Sequence, residues 1–252
     1  MRVSHWLLPV VSVLALVCLA AGLYMAFVTA PPDYQQGQTV RIMFIHVPAA
    51  WLAMGIYLLV AISSFGFLVF RHPLADVSAT AAVPLGAAFT LICLATGSLW
   101  GRPMWGTYWD WDARMTSVLI LFFLYLGLMV LRRASDDATA SKLTAILAIV
   151  GVVLLPIIKF SVDYWNTLHQ PASVARLDGP AIDPSMLYPL LVMALAAGLI
   201  FFALHLFAMR NEIRARRVTS LLRARVSRVE RTQRHRSDDR ALSGNATAEQ
   251  AT

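Results

Sequence analysis

The residues whose types and spacing suggest chemistry are concentrated between positions 100 and 116. Four of the seven tryptophans fall within twelve residues there, and the run continues as WGTYWDWDARMT over residues 105–116. Aromatic rings interspersed with charges can stack on a large, planar, amphipathic ligand. The same composition is also found in the aromatic belt where a membrane protein meets water. The residues alone leave the belt and the ligand site open.

Four aromatic residues of this run are called here the aromatic platform: Trp105, Tyr108, Trp109 and Trp111. If the segment is helical, Trp105, Tyr108 and Trp109 share one face, and Asp112 continues the same row. Charged residues, each costing about 2.5–3.5 kcal/mol at a bilayer centre, place the segment at a membrane surface. They are Arg102, Asp110, Asp112 and Arg114.

Two of the six histidines are candidate metal ligands. His46 lies in FIHVP, directly before the apolar run 47–70. His169 lies in WNTLHQP, within the more polar segment 161–185. Neutral imidazole is a common protein ligand for haem iron, and haem is a large, planar, amphipathic ligand. If the helix before His169 continues, Trp165 and His169 share a face at i and i+4. Three of the other histidines are predicted to be solvated surface residues: His5, His72 and His235. His205 is predicted to be a hydrogen-bonded packing residue in the last apolar stretch.

The elements that position these residues are membrane-spanning helices. The 252 residues are 58% hydrophobic and 14% charged, unlike a soluble globular domain. A spanning helix needs about 20 apolar residues, and six stretches meet or approach that length: 6–28, 47–70, 82–100, 115–131, 143–160 and 186–209. The first apolar run is too long for a usual signal peptide, so we expect it to be retained. The sequence therefore predicts an all-α integral membrane protein with six transmembrane helices.

The distribution of positive charge predicts the orientation. Six spans place both termini on one side, and that side carries sixteen of the 21 Lys and Arg residues. Eleven of these are arginines from Arg210 onward, so the C-terminal tail decides the assignment. We therefore expect both termini in the cytoplasm. The loops 29–46, 101–114 and 161–185 then meet on the extracytoplasmic side, with the aromatic platform between the two candidate histidines.

The chain divides by composition into a membrane domain, residues 1–210, and a basic tail, residues 211–252. Residues 211–231 approximate the spacing of a basic amphipathic helix on anionic lipid, and the remainder is predicted to be disordered. Membrane anchoring explains the positive charge, so we expect no nucleic-acid partner. Cys18 and Cys93 lie inside spans and are predicted to be packing residues. Without a CxxCH motif, any bound haem would not be held through thioether bonds.

The run WGTYWDWDARMT resembles the WWD signature of haem-handling proteins of cytochrome c maturation. Together with the length, six spans and two histidines, it resembles the CcmC (haem exporter protein C) family over about residues 1–210. The family usually has Trp at the position of Tyr108 and often Leu at that of Met115. The resemblance implies that the chain binds haem b at the outer face of the bacterial inner membrane and passes it to the periplasmic chaperone CcmE. It further implies His46 and His169 as axial ligands, with CcmD and the CcmA/CcmB ABC transporter as partners.

We therefore predict that haem rests on the aromatic platform between His46 and His169, with one vinyl edge open to a histidine of CcmE. Four arginines are candidates for contact with the haem propionates: Arg41, Arg102, Arg114 and Arg176. Each of them could instead form a salt bridge with a nearby acidic residue. For Arg114 the alternative partners are Asp110 and Asp112. The sequence shows no nucleophile and base pair, so we expect transfer by positioning and no enzyme activity.

Two other classes of protein remain open. A membrane transporter or permease subunit should carry charged or Gly/Pro-broken segments near the bilayer centre. Pro84 and Pro156 interrupt spans here, but no charge accompanies them. A b-type electron carrier should hold its histidines within its helices, and only His205 lies inside a predicted span.

Overall fold

The computed structural model describes residues 2–134, 137–170, 173–174, 176 and 178–249, with side chains within 6–134, 139–170, 173–174, 176 and 178–228. Seven α-helices account for most of this part of the chain: α1 (Arg2–Tyr24), α2 (Met43–Phe70), α3 (Pro73–Trp105), α4 (Ala113–Ala134), α5 (Asp137–Val150), α6 (Leu154–Tyr164) and α7 (Pro184–Glu249). A π-helical turn, Met25–Thr29, extends α1, and a 3-10 helix, Gln38–Ile42, precedes α2. No strand occurs in the described residues.

Six segments within the described residues are long and apolar enough to cross a membrane, which confirms the predicted multi-pass fold. They are Trp6–Thr29, Gln38–Phe70, Pro73–Trp105, Ala113–Ala134, Thr139–Tyr164 and Pro184–Arg228. The third span begins nine residues before the predicted position 82. Pro73 starts α3 because proline needs no backbone donor in a first helical turn. Only Arg71 and His72 separate α2 from α3, so these two helices form an antiparallel hairpin.

The fifth span is interrupted, as the proline in its sequence suggests. It consists of α5, a 3-10 turn at Gly151–Val153, and α6. Pro156 has no N–H to donate to the carbonyl of Val152, so regular α-helical hydrogen bonding cannot continue there. The span is therefore formed by two helical pieces, and α6 carries the segment that leads to the candidate site.

Two tyrosines pack at the centre of the bundle. Tyr57 and Tyr125 are fully buried, and their rings meet edge to face with centroids 5.3 Å apart. The Tyr125 hydroxyl donates to the carbonyl of Ala53 at 2.9 Å, which satisfies a polar group far from water. A Cβ atom at Gly86 would lie 2.2 Å from the Tyr125 ring, so this contact between α3 and α4 requires glycine.

A buried ion pair ties α3, α4 and α5 together near the α2–α3 connection. Arg132 contacts Asp76 through both guanidinium nitrogens, at 3.0 and 2.9 Å. Asp76 is 7% exposed, and Arg132 also donates to the hydroxyl of Ser141. Nothing in the sequence pairs Asp76 with Arg132, which lie 56 positions apart. The structure shows instead a bidentate ion pair that crosses three helices.

The predictions for two interior side chains, His205 and Cys93, are confirmed. His205 is buried, contacts the Ser78 hydroxyl at 3.2 Å through Nε2, and stacks on Phe201. It is a hydrogen-bonded packing residue, as expected. Cys18 and Cys93 are free, and Cys93 is buried.

The chain forms two compact units, residues 1–209 and 210–252. In the second unit helix α7 continues to Glu249, which differs from the predicted disorder after residue 231. Its composition lacks the apolar residues for a packed core, but Arg, Ala, Glu and Gln all favour helix. Arg216 and Glu212 form an i, i+4 ion pair at 2.7 Å. Exposed apolar residues recur nearby at close to helical spacing: Val218, Leu221, Leu222 and Val226.

Candidate functional site

A cavity of about 850 Å³ opens at the face of the membrane unit where α1, α3 and α6 end and α2, α4 and α7 begin. His46 and His169 both line it, so it is called here the two-histidine cavity. Its deeper wall is apolar and includes Met54, Leu94 and Val118. The volume lies within the range of about 300–1,000 Å³ that is typical of small-molecule sites. The structure thus brings together the two histidines that the sequence singled out.

Helix α3 orients His46, which lies one turn into α2. Its Nδ1 contacts the carbonyl oxygen of Cys93 at 3.0 Å and the Thr96 hydroxyl at 3.1 Å. Its ring also meets the edge of Trp100 at a centroid distance of 5.7 Å. A Cβ atom at Gly97 would lie 2.8 Å from Cε1 of this ring. The glycine therefore gives the imidazole room to lie flush against α3.

Asp112 orients His169, which belongs to the connection between α6 and α7. Its Nδ1 lies 2.8 Å from Oδ2 of Asp112, and its ring meets Trp105 edge to face at a centroid distance of 4.9 Å. The Thr167 hydroxyl donates to the same carboxylate oxygen. Burial lowers the pKa of His169, and the bond to Asp112 only partly offsets this effect. The net effect favours the neutral imidazole.

Asp112 also caps helix α4. Its Oδ1 accepts a hydrogen bond from the backbone N–H of Met115 at 2.7 Å, so the side chain satisfies one of the free donors of the first turn. Burial raises the pKa of the Asp112 carboxyl, but the bonds from Thr167, Met115 and His169 outweigh it and the net pKa is lowered. One buried carboxylate, 7% exposed, therefore fixes both a helix end and a histidine.

These partners determine which ring nitrogen carries the proton. A carbonyl oxygen and a carboxylate only accept hydrogen bonds, so Nδ1 must be the donor in both neutral histidines. Nε2 then carries the lone pair. In the described part of the chain no hydrogen bond to Nε2 occurs in either residue. The cavity is thus lined by two imidazoles in the tautomer of a metal ligand whose other nitrogen is held by the protein.

The Trp-rich run does not continue as a helix, so the helical-face hypothesis is wrong. Helix α3 ends at Trp105, and Gly106 adopts a left-handed conformation with φ of 77°. Trp105 lines the cavity, whereas the other three aromatic residues do not. Trp109 and Trp111 pack against each other at 5.5 Å, with Trp111 74% exposed. Tyr108 is exposed beneath Arg102.

The helix before His169 also ends early. α6 stops at Tyr164, and Trp165 is extended with φ of −127°. The proposed i, i+4 relation between Trp165 and His169 is therefore wrong. His169 reaches the cavity because Asp112 and Trp105 hold it, not because it lies on a helical face.

One of the four candidate arginines lines the cavity. Arg114 lies there and donates to the Ser161 hydroxyl at 3.1 Å, and forms no ion pair with Asp110 or Asp112 within the described residues. Arg41 donates to backbone carbonyls of residues 27 and 30. Arg102 donates to the carbonyl of Gly106, and Arg176 pairs with Asp178.

Sequence reasoning missed several residues of the cavity. Lys159 and Asp163 of α6 line it, four residues apart on one helical face. Trp100 also lines it and donates through Nε1 to the Gln36 side chain at 2.9 Å, which ties the first connection to α3. The presence of Lys159 near the end of an apolar span, where a lysine is costly, was a signal that could have identified it.

The geometry defines a class of protein: a multi-pass α-helical membrane protein with a two-histidine ligand cavity at one membrane face. Comparison with known families then identifies the family. The sequence model of heme exporter protein C (CcmC) matches residues 1–224, so the chain belongs to the heme exporter protein C family, which is involved in haem export in cytochrome c maturation. This confirms the resemblance given by the WWD run.

Curated relatives agree with this assignment. A heme exporter protein C of Bradyrhizobium diazoefficiens is 62% identical over 223 residues, 88% of this chain and 84% of that protein. The protein of the same name in Paracoccus denitrificans is 45% identical over 88% of this chain and 92% of its own length. That of Escherichia coli strain K12 is 45% identical over 84% of this chain and 86% of its own length.

Proposed function

We propose that this protein binds haem b non-covalently in the two-histidine cavity and delivers it to the periplasmic chaperone CcmE. The observation that carries the proposal is that two imidazoles from separate elements line one cavity, each with Nδ1 bonded to the protein and Nε2 without a hydrogen bond in the described residues. Imidazole nitrogen is a common axial ligand of haem iron, and the apolar lining suits a macrocycle. The family and the names of the relatives support the same ligand.

Each residue of the site has a proposed role. His46 and His169 ligate the iron, while Trp105 walls the cavity beside His169. Tyr108, Trp109 and Trp111 extend the platform outward from the cavity, where Tyr108 and Trp111 are exposed to an incoming partner. Asp112 holds Nδ1 of His169 and so fixes the orientation of its ring, which leaves Nε2 for the iron. Arg114 meets a negatively charged edge of the ligand. All of these residues act by positioning.

The location follows from the charge distribution. We propose that the chain lies in the bacterial inner membrane with both termini in the cytoplasm, because the arginines from Arg210 onward favour that side. Residues 1–210 act as the membrane domain and residues 211–252 as a basic cytoplasmic tail. The two-histidine cavity then opens toward the periplasm. CcmD and the CcmA/CcmB ABC transporter are proposed partners.

The experiment that tests the proposal is haem transfer between purified components. Haem-loaded protein is mixed with haem-free CcmE, and the haem that each protein carries is followed after separation. We expect haem to appear on CcmE only when the donor carries both histidines. If CcmE acquires haem equally fast from the buffer, or if the wild-type protein binds no haem, the proposed function is wrong.

Replacing Asp112 should weaken haem binding without removing a ligand. In Asp112→Asn the carboxylate that orients His169 is lost, while an oxygen remains to cap α4. We expect the haem affinity to fall by about 10- to 100-fold, as for other replacements behind a metal-ligating histidine. Spectrophotometric titration measures the affinity, and Asp110→Asn, at an exposed position two residues earlier, is the control. Equal affinities of the two variants would show that Asp112 has no such role.

A further inference from the structure

Two cationic side chains line the two-histidine cavity among the residues that the structure describes, Arg114 and Lys159. Arg114 donates to the Ser161 hydroxyl at 3.1 Å and contacts the backbone carbonyl of Lys159 at 3.5 Å. The ammonium of Lys159 forms no hydrogen bond and no ion pair within the described chain. The cavity wall therefore carries one cation that is bonded to the protein, and a second whose ammonium has no partner in the described chain.

The ammonium of Lys159 is thus open to an anionic group of a ligand in the cavity. An ionised carboxylate of a ligand in the cavity would be attracted to both cations. Asp163 lines the same wall but forms no ion pair with Lys159 or Arg114 within 4.0 Å in the described residues. Lysine commonly extends its ammonium to water from a helix end. Lys159 can do so here because it is exposed, but its side chain also borders the ligand cavity.

The remaining arginines at this face have other roles. Arg41 is bonded to the carbonyls that end the π-helical turn, and Arg102 is bonded to the carbonyl of Gly106. Arg176 is paired with Asp178 and does not line the cavity. These three side chains stabilise local turns and loops. They leave Arg114 and Lys159 as the cations available to a ligand inside the cavity.

We propose that Lys159, with Arg114 beside it, receives a carboxylate of the bound ligand and thereby selects planar ligands that carry free carboxylates. The inference rests on the proposed haem-binding function and deepens it, because it assigns the propionate contact to a residue of α6. A charged hydrogen bond from a lysine to a carboxylate favours the ionised acid over its ester. Lys159 is thus a specificity residue, distinct from the histidines that hold the iron.

The test compares haem with its dimethyl ester, in which both propionates are neutral. Affinities for both ligands are measured by titration for the wild type, Lys159→Gln, Lys159→Arg and Arg176→Gln. We expect Lys159→Gln to weaken the binding of haem by about tenfold and leave the ester unchanged. Lys159→Arg should retain the preference for the free acid. Arg176→Gln, an exposed cation at the same face, should match the wild type with both ligands.

The ester is also the control for folding, because unchanged ester binding shows that the variant cavity is intact. The proposal is overturned if Lys159→Gln weakens both ligands equally, if it changes neither, or if Arg176→Gln produces the selective loss instead. In those cases a histidine-dependent haem spectrum in the wild type still supports the proposed function. A wild-type protein that binds neither ligand overturns both proposals together.

Discussion

Replacing His169 or His46 by alanine is expected to abolish the six-coordinate, two-histidine absorption spectrum of the haem-loaded protein. Each substitution removes one of the two imidazoles that line the cavity and are proposed to ligate the iron. Since replacements behind a ligating histidine cost up to roughly 100-fold in affinity, we expect the loss of a ligand itself to exceed 100-fold. Titration with haem measures the affinity, and the absorption spectrum reports the coordination.

Two controls separate a lost ligand from a damaged fold. His72→Ala, which changes an exposed histidine in the α2–α3 connection, should bind haem as the wild type does. Added imidazole can occupy the space left by the missing ring and should partly restore the spectrum of either cavity variant. If both alanine variants kept the wild-type haem band and wild-type transfer to CcmE, the assignment of the ligands would be wrong.

Replacing Arg132 by alanine is expected to give the largest loss of stability. The change leaves the carboxylate of Asp76 buried without its bidentate partner, between helices α3, α4 and α5. We expect a loss of about 3 kcal/mol, at the lower end for a broken buried pair because Arg132 is partly exposed. Equilibrium unfolding in mixed detergent micelles measures this difference.

The matched control is the next residue. Arg133 is exposed at the same helix end, so Arg133→Ala should change the unfolding midpoint little. A second comparison replaces both partners: Asp76→Leu together with Arg132→Leu removes the uncompensated charge and should recover part of the lost stability. If Arg132→Ala unfolded at the same midpoint as Arg133→Ala, the ion pair would contribute nothing.

The membrane fold could be predicted because it depends on properties of continuous segments. Six apolar stretches of sufficient length require six spans, and the structure contains six such segments. Six spans also bring alternate connections to one face, which is why His46 and His169 meet at the same cavity. Neither inference needed the conformation of an individual residue.

The local shape of the Trp-rich run could not be predicted in the same way. Its aromatic spacing is compatible with a helix, but the backbone is not helical between the end of α3 and the start of α4. Gly106 turns the chain with a positive φ, and Asp112 starts a new helix through its side chain. Both helix ends are fixed by local bonds, from the Gly106 N–H to the Arg102 carbonyl and from the Met115 N–H to Asp112. Asp112 is also bonded to the distant Thr167 and His169. Spacing along the sequence carries no information about those contacts.

Long-range pairs of charged and polar residues were also beyond sequence reasoning. Asp76 and Arg132 are 56 positions apart, and each looks like an ordinary charge of a loop. Arg114 had plausible partners two and four residues away, yet its hydrogen bond goes to Ser161. In a helical bundle the nearest partner in space is set by how the helices pack, so charge counts give the orientation but not the pairs.

Asp112 is bonded both to the first turn of α4 and to His169, and this affects how His169 is oriented after a ligand leaves the cavity. One oxygen of its carboxylate accepts the Met115 N–H in the first turn of α4, a bond that does not involve His169. If the proposed haem site releases its ligand by turning His169 aside, the acceptor for Nδ1 stays bonded to helix α4. The imidazole can therefore return to the same orientation without refolding the connection. A carrier that binds and releases its ligand repeatedly needs its ligating residue to return to one orientation. A hydrogen-bond acceptor held at a helix end makes this possible.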